Sequence, residues 1–153
     1  MRGAWVATTS LLLLGLVPAC GSARTVPPHV QSALDSVAFL EGCWNYWSVD
    51  AGVHLCWRRE RDAWVGWFEN YGPMAFPSRH HLRIELGVDQ LELIEQRRRP
   101  TTSAVMASSD PSHIEFESSW GFWLVGGRLF VRPPGWGDFR YEMDRAPSRT
   151  RSD

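Results

Sequence analysis

The side chains that could do chemistry in this chain are few and dispersed. Of the five histidines, His80 and His81 are adjacent on a predicted strand, so their rings leave opposite faces and cannot grip one ion. His54 and His113 fall on other strands; either could meet one of the adjacent pair across a sheet, but no ligand spacing points to it. The chain has no H-E-x-x-H, G-x-S-x-G, P-loop or dinucleotide fingerprint. No catalytic residue, metal ligand or cofactor is therefore assigned. The acids sit mostly at outward strand positions such as Glu85, Glu115 and Glu117, where arginines such as Arg83 can pair with them. Arg97-Arg98-Arg99, before Pro100, reads as a solvated loop base. An enzyme would need a buried Asp–His or Glu–Arg pair opening onto a cleft, which sequence alone does not reveal.

The three cysteines divide by position. Arg2 precedes an apolar run, Ala4 to Val17, with Leu11-Leu12-Leu13-Leu14 at its centre and small residues after it. That is the pattern of a secretory signal peptide over residues 1–19, and it is shorter than the ~20 apolar residues a membrane span needs. Val17-Pro18-Ala19-Cys20 matches the bacterial lipoprotein pattern at three of four positions, Pro18 being the departure. Cys20 is then the lipidated residue, and 20–28, with Ser22, Pro27 and Pro28, a tether to the membrane. The alternative is ordinary cleavage after Ala19 or Ala23. No Asp follows Cys20, so the inner-membrane retention mark is absent, and the outer membrane or periplasm is the expected address.

Cys43 and Cys56 lie in the folded part, and an exported protein lives where disulfides persist. If the first hairpin turns at Asp50-Ala51, Trp44 faces Trp57 and Asn45 faces Cys56. The two cysteines are then diagonal neighbours ~7–8 Å apart, beyond bridging range without a twist or bulge. A register shifted by one pair puts them directly opposite; otherwise they are two small buried thiols. With no C-x-x-C spacing, a redox-active pair is not expected.

The elements that must position these groups follow from length and periodicity. Removing residues 1–19 leaves 134, enough for one domain. All 16 basic residues are arginine, and loss of Arg2 takes the net charge from −1 to −2, a field that excludes nucleic acid as a partner. Val30, Leu34, Val37 and Leu40 recur at helical spacing, predicting one short helix over 29–40 that starts near Pro28 and stops at Gly42. From there the period changes to two. Strands are predicted at 43–49, 53–60, 63–71, 79–86, 90–97, 103–108, 112–118, 121–125, 128–132 and 138–144, with alternation clearest at Leu82, Ile84, Leu86 and at Phe139, Tyr141, Met143. The turn signals between them include Asp50-Ala51-Gly52, Gly72-Pro73 and Gly126-Gly127. This is an all-β chain, an antiparallel up-and-down barrel of 8–10 strands preceded by one α-helix, spanning 29–144 with a loose tail from 145 to 153.

Ala38-Phe39-Leu40-Glu41-Gly42-Cys43-Trp44 resembles the start of a lipocalin-type barrel, where a short helix leads into Gly-x-Trp on the first strand. The resemblance implies that Trp44 plugs one barrel end and that a late arginine, Arg140 or Arg145, lies over it. More closely, the chain resembles an uncharacterised family of small exported bacterial lipocalin-like (calycin-type) proteins, over roughly residues 34–144. Members start with Leu-x-Gly-Cys-Trp, place a second Trp at the end of the next strand, as Trp57 does here, and continue with a strand loosely matched by Phe76 and Arg83-Ile84-Glu85. The family's Phe-Glu-Asn-Pro and His-Asp-Phe-Pro segments are replaced here by Phe116-Glu117 and Ser118-Ser119-Trp120-Gly121-Phe122-Trp123. The family's His and Asp have no counterpart, so no role of theirs carries over.

Eight tryptophans remain beyond the leader, and six form W-x-x-W pairs: Trp44/Trp47, Trp64/Trp67 and Trp120/Trp123. Three residues along a strand reverse the face, so each pair sends one ring in and one out. A barrel of about eight strands has room for filled side chains or one small ligand, not for eight indoles. Trp44, Tyr46, Trp57 and Tyr141, with Trp67, are the candidate wall of an apolar pocket. The expected role is carriage of a small apolar or aromatic molecule in the envelope. The alternatives are a filled-barrel interaction module using its outer tryptophans and, third, an enzyme.

Overall fold

The computed structural model describes residues 25–72, 75–96, 100–117 and 120–147. The signal segment, Cys20, Arg97–Arg99 and the last six residues lie outside them. Ten strands follow one short helix: β1 (Gly42–Trp47), β2 (Gly52–Arg59), β3 (Ala63–Gly72), β4 (Ala75–Leu86), β5 (Leu91–Gln96), β6 (Thr101–Asp110), β7 (His113–Phe116), β8 (Gly121–Val125), β9 (Arg128–Arg132) and β10 (Tyr141–Arg145). Each pairs antiparallel with the next, and β10 returns to β1, closing a barrel consistent with a lipocalin-like fold. The closing seam is short among the described residues: Trp44 stands opposite Arg145 and Asn45 opposite Asp144, extended by the Ala146 amide donating to the Cys43 carbonyl at 2.8 Å. Gly126 and Gly127, both at positive φ, form the two-residue hairpin turn between β8 and β9.

Period-two burial runs around the wall. The inward set includes Val53, Leu55 and Trp57 on β2, Leu82 and Ile84 on β4, Leu91 and Leu93 on β5, Ile114 and Phe116 on β7, and Leu129 and Val131 on β9, nearly all within 3% of full burial. The W-x-x-W pairs divide as the parity argument requires. Trp44, Trp64 and Trp120 are buried, while Trp47 is 69% exposed and Trp67 and Trp123 lie half-buried on the outer face. With Trp57 inside and Trp136 exposed, four indoles are interior and four exterior.

One end is plugged. The helix predicted over 29–40 is instead α1 (Pro28–Asp35) followed by a 3-10 turn at Ala38–Leu40. A continuous α-helix would rotate each i+3 residue about 60° off its predecessor, whereas three residues per turn keep Val37 and Leu40 on one line. Leu34, Val37 and Leu40 are all completely buried. Two interior indoles hold the plug: Trp44 Nε1 donates to the Leu40 carbonyl at 3.0 Å and Trp64 Nε1 to the Leu34 carbonyl at 2.8 Å. Gly42, at φ +105°, turns the chain from plug to wall in a conformation other residues rarely adopt.

Of the two arginines expected over Trp44, Arg145 takes the place: its guanidinium carbon is 5.0 Å from the ring centroid, and it donates to the Glu41 carbonyl at 2.6 Å. Arg140 instead lies 4.3 Å over Trp123, on the outside. Arg145 therefore closes β10 rather than opening a loose tail. Phe139, expected inside the last strand, precedes it and is 48% exposed, because Gly135 and Gly137 bend the preceding loop through positive φ.

The first hairpin pairs two residues away from the register that faces Trp44 with Trp57, so the faces are kept. Trp44 faces Leu55, Trp57 faces Gly42, and Cys43 stands directly opposite Cys56, to which it is joined by a disulfide with Cα atoms 4.1 Å apart. The cause is Trp47, whose indole lies flat over Gly52, the one neighbour without a Cβ to collide with it. A four-residue turn at 48–51 results, closed by the Ser48 amide donating to the Ala51 carbonyl at 2.8 Å.

Candidate functional site

At the barrel end opposite the plug the inward positions change character. On β3 the inward series Trp64, Gly66, Phe68 continues to Asn70; on β4 the series Ile84, Leu82 continues to His80 and Ser78; on β5 Leu91 and Leu93 continue to Glu95. Sheet pairing sets Phe68 against His80 and Asn70 against Ser78. His80 Nδ1 is 2.5 Å from Glu95 Oε1, and Nε2 is 3.3 Å from Ser78 Oγ. One neutral tautomer serves both contacts: Nδ1–H donates to the carboxylate, and Nε2 accepts from the hydroxyl. Glu95 is 4% exposed, so this is a buried carboxylate paired with an imidazole that itself reaches solvent.

Aromatic rings enclose the group. Phe68 packs 4.9 Å from Trp120 and 5.9 Å from His80, and Trp120 lies 5.8 Å from His80. The Tyr141 ring centroid is 6.1 Å from that of Phe68 and 5.3 Å from that of Tyr46, and exposed Trp136 and Phe139 meet it from outside, tilted and edge-on respectively. Burial, with the neighbouring Tyr46 hydroxyl, holds the Tyr141 phenol above its ordinary range. Two buried polar atoms here have no hydrogen-bond partner among the described residues, Asn70 Oδ1 and Trp120 Nε1; deeper in the barrel, Trp57 Nε1 is a third. The mouth thus sets a buried carboxylate, an imidazole and a hydroxyl in a row against an aromatic wall.

The sequence-derived candidates therefore separate. Tyr46 and Tyr141 belong to the mouth, whereas Trp44 and Trp57 lie deeper, Trp44 under the plug and Trp57 against Phe122 at 5.7 Å. Trp67 is on the outer wall, opposite Cys56 and His81, and joins none of the others. His80 and His81 do point to opposite faces. Sequence reasoning missed Glu95, Asn70, Ser78 and Trp120 as site residues. A signal existed for the first: Glu95 is in phase with Leu91 and Leu93, so an acid falls at an inward position.

Trp67 instead belongs to a groove of about 1050 Å³ on the outer face of β1, β2 and β3. The groove is a grid of cross-strand neighbours: Cys43, Cys56 and Trp67 in one row, Asn45, His54 and Glu69 in the next, and Trp47, Gly52 and Tyr71 in the third. Tyr71 hydrogen-bonds Glu69, and Arg79 pairs with the same carboxylate. The Tyr71 hydrogen bond, with the Arg79 charge, holds the Glu69 carboxyl below its usual range, and Glu69 in turn raises the Tyr71 phenol. On the opposite side Trp123 stacks on His113 at 5.2 Å beneath Arg140.

No family model matches the chain, and no curated protein or solved structure matches it either.

Proposed function

We propose that the chain is an exported envelope protein of the lipocalin-like kind, anchored through a lipid on Cys20, that holds one small apolar or aromatic molecule at the mouth of its barrel. The observation that carries the binding reading is an aromatic wall with unsatisfied polar atoms set into it, Asn70 Oδ1 and Trp120 Nε1. An unmet buried donor or acceptor costs about 1–3 kcal/mol, which a ligand offering both a donor and an acceptor recovers. Export is supported by the leader residues Arg2 to Ala19 and by the Cys43–Cys56 disulfide, a bond suited to oxidising compartments.

The test is native mass spectrometry of protein purified from the envelope, followed by tryptophan-fluorescence titration with a fatty acid, a retinoid, haem and a quinone. A co-purified mass or a saturable response is expected, weakened about tenfold in Asn70→Ala, as loss of about one hydrogen bond requires, and unchanged in Trp67→Phe. A silent panel with no bound mass would overturn this reading and place the molecule among filled-barrel interaction modules.

The order carboxylate, imidazole, hydroxyl at Glu95, His80 and Ser78 favours a second reading, acyl transfer with Ser78 as nucleophile, His80 as base and Glu95 orienting the ring. Hydrolysis of a nitrophenyl ester, lost in Ser78→Ala, is its expected signature; equal turnover by that variant dismisses it.

A further inference from the structure

The outer groove holds a second cluster, independent of the barrel mouth. Cys43, Cys56 and His54 place two sulfurs and one ring nitrogen within 4.8 Å of one another, and His54 Nε2 is 3.0 Å from Cys56 Sγ. The other ring nitrogen, Nδ1, is 2.5 Å from Asn45 Oδ1, directly across the β1–β2 pair. With Asn45 accepting from Nδ1–H, the Nε2 lone pair is aimed at the sulfurs. This is the arrangement by which an outer partner fixes the tautomer of a metal-binding imidazole. It serves little in the disulfide form, because a bridged sulfur has no proton to offer that nitrogen.

We propose that in its dithiol form the chain binds one thiophilic ion, Zn²⁺ or Cu⁺, through Cys43 Sγ, Cys56 Sγ and His54 Nε2. A fourth position opens onto the groove between Trp47 and Trp67. Thiolate and imidazole together select these ions over hard cations. Metal–sulfur bonds of about 2.3 Å in tetrahedral geometry set the two sulfurs about 3.7 Å apart and each about 3.5 Å from the nitrogen. Side-chain rotation on the rigid β1–β2 ladder reaches these separations from directly opposed cysteines, and Cys56 is already within half an ångström of its distance from His54. The chemistry balances with a dithiol reductant. Two electrons and two protons pass to Cys43 and Cys56 as the S–S bond breaks, and the reductant becomes a disulfide. The arriving ion then displaces the two thiol protons to solvent and forms two metal–sulfur bonds. Disulfide and metal therefore exclude each other, and the site is loaded only where reducing equivalents reach it.

The test uses the mature chain reduced with a phosphine under anaerobic conditions and titrated with Co²⁺ as a spectroscopic stand-in for Zn²⁺. The expected result is one Co²⁺ per chain, with thiolate-to-metal charge transfer in the near ultraviolet and the visible bands of tetrahedral cobalt, both removed by Zn²⁺. The oxidised chain should give neither. His54→Ala should lose the tetrahedral spectrum, and Asn45→Ala should weaken binding by ~10–100-fold while keeping it, as loss of an outer-shell partner does. Near-ultraviolet circular dichroism of the reduced, metal-free variants separates loss of a ligand from loss of the fold. Equal Co²⁺ affinity in His54→Ala and wild type, equal binding by the disulfide form, or no charge-transfer band in a reduced folded chain would each overturn the proposal.

Discussion

Gly66 carries the sharpest prediction. It faces Trp57 across β2 and β3, with φ outside the positive region, so its smallness answers to packing and not to backbone conformation. A Cβ placed there would lie 2.5 Å from Trp57 Cε3, 2.6 Å from Cδ2 and 2.9 Å from the Cys56 carbonyl oxygen. The carbonyl is held in the sheet, so the indole must yield, and the indole is 2% exposed and edge-on to Phe122 at 5.7 Å and 85°. Overpacking of this kind costs about 1–3 kcal/mol, and a lost aromatic pair adds about 0.5–1.5 kcal/mol. Gly66→Ala should therefore destabilise by about 3 kcal/mol and lower Tm by about 12 °C, at roughly 4 °C per kcal/mol for a domain of this size. Urea unfolding followed by fluorescence measures it. The decisive comparison is the double-mutant cycle with Trp57→Val, which removes the ring that the new methyl meets. The pair should couple by more than about 1 kcal/mol, in the sense that the second change restores part of what the first cost. Additivity within about 0.5 kcal/mol, or a neutral Gly66→Ala, refutes the packing argument.

Replacing both cysteines by serine removes a crosslink between residues 13 apart in sequence, and chain-entropy reasoning puts the loss near 3 kcal/mol, readable as a shift in urea midpoint. Arg145→Ala should cost about 1–2 kcal/mol through the lost cation–π contact with Trp44 and hydrogen bond to Glu41, with Arg145→Lys intermediate, in the same assay. Absorbance at 295 nm should show Tyr71 and Tyr141 ionising above the ordinary phenol range, with each Phe variant deleting part of that late rise. Because the folded chain keeps those protons longer than the unfolded chain, their contribution to stability is full below pH ~10 and declines as pH rises further. Glu69 has the opposite sign: its contribution is present above the ordinary carboxylate range and declines as pH falls below it, and Glu69→Gln should flatten that acid limb.

The barrel was legible because its inward and outward positions differ in kind along almost every strand, and the W-x-x-W pairs advertised the alternation. All ten predicted strands have a counterpart within a few residues. What escaped was decided between strands. Gly52 beneath Trp47 selects the first hairpin's register, a contact that the turn residues Asp50-Ala51 do not encode. The same displacement brings Cys43 opposite Cys56 and Asn45 opposite His54, so both the disulfide and the nitrogen aimed at it follow from one flat glycine. The mouth was half legible. Tyr46 and Tyr141 declared themselves as aromatics at inward positions. Asn70, His80 and Glu95 looked like ordinary polar residues until cross-strand pairing set them together, and Trp120 sits just before its strand.

The brevity of the β1–β10 seam has a consequence for how the molecule is made. The first strand waits with a bare edge until nearly a hundred later residues have been delivered, and among the described residues Asp144, Arg145 and Ala146 alone cover it. A chain cut short before residue 144 keeps every earlier hairpin yet presents two unguarded strand borders, an invitation to sticky end-to-end polymerisation.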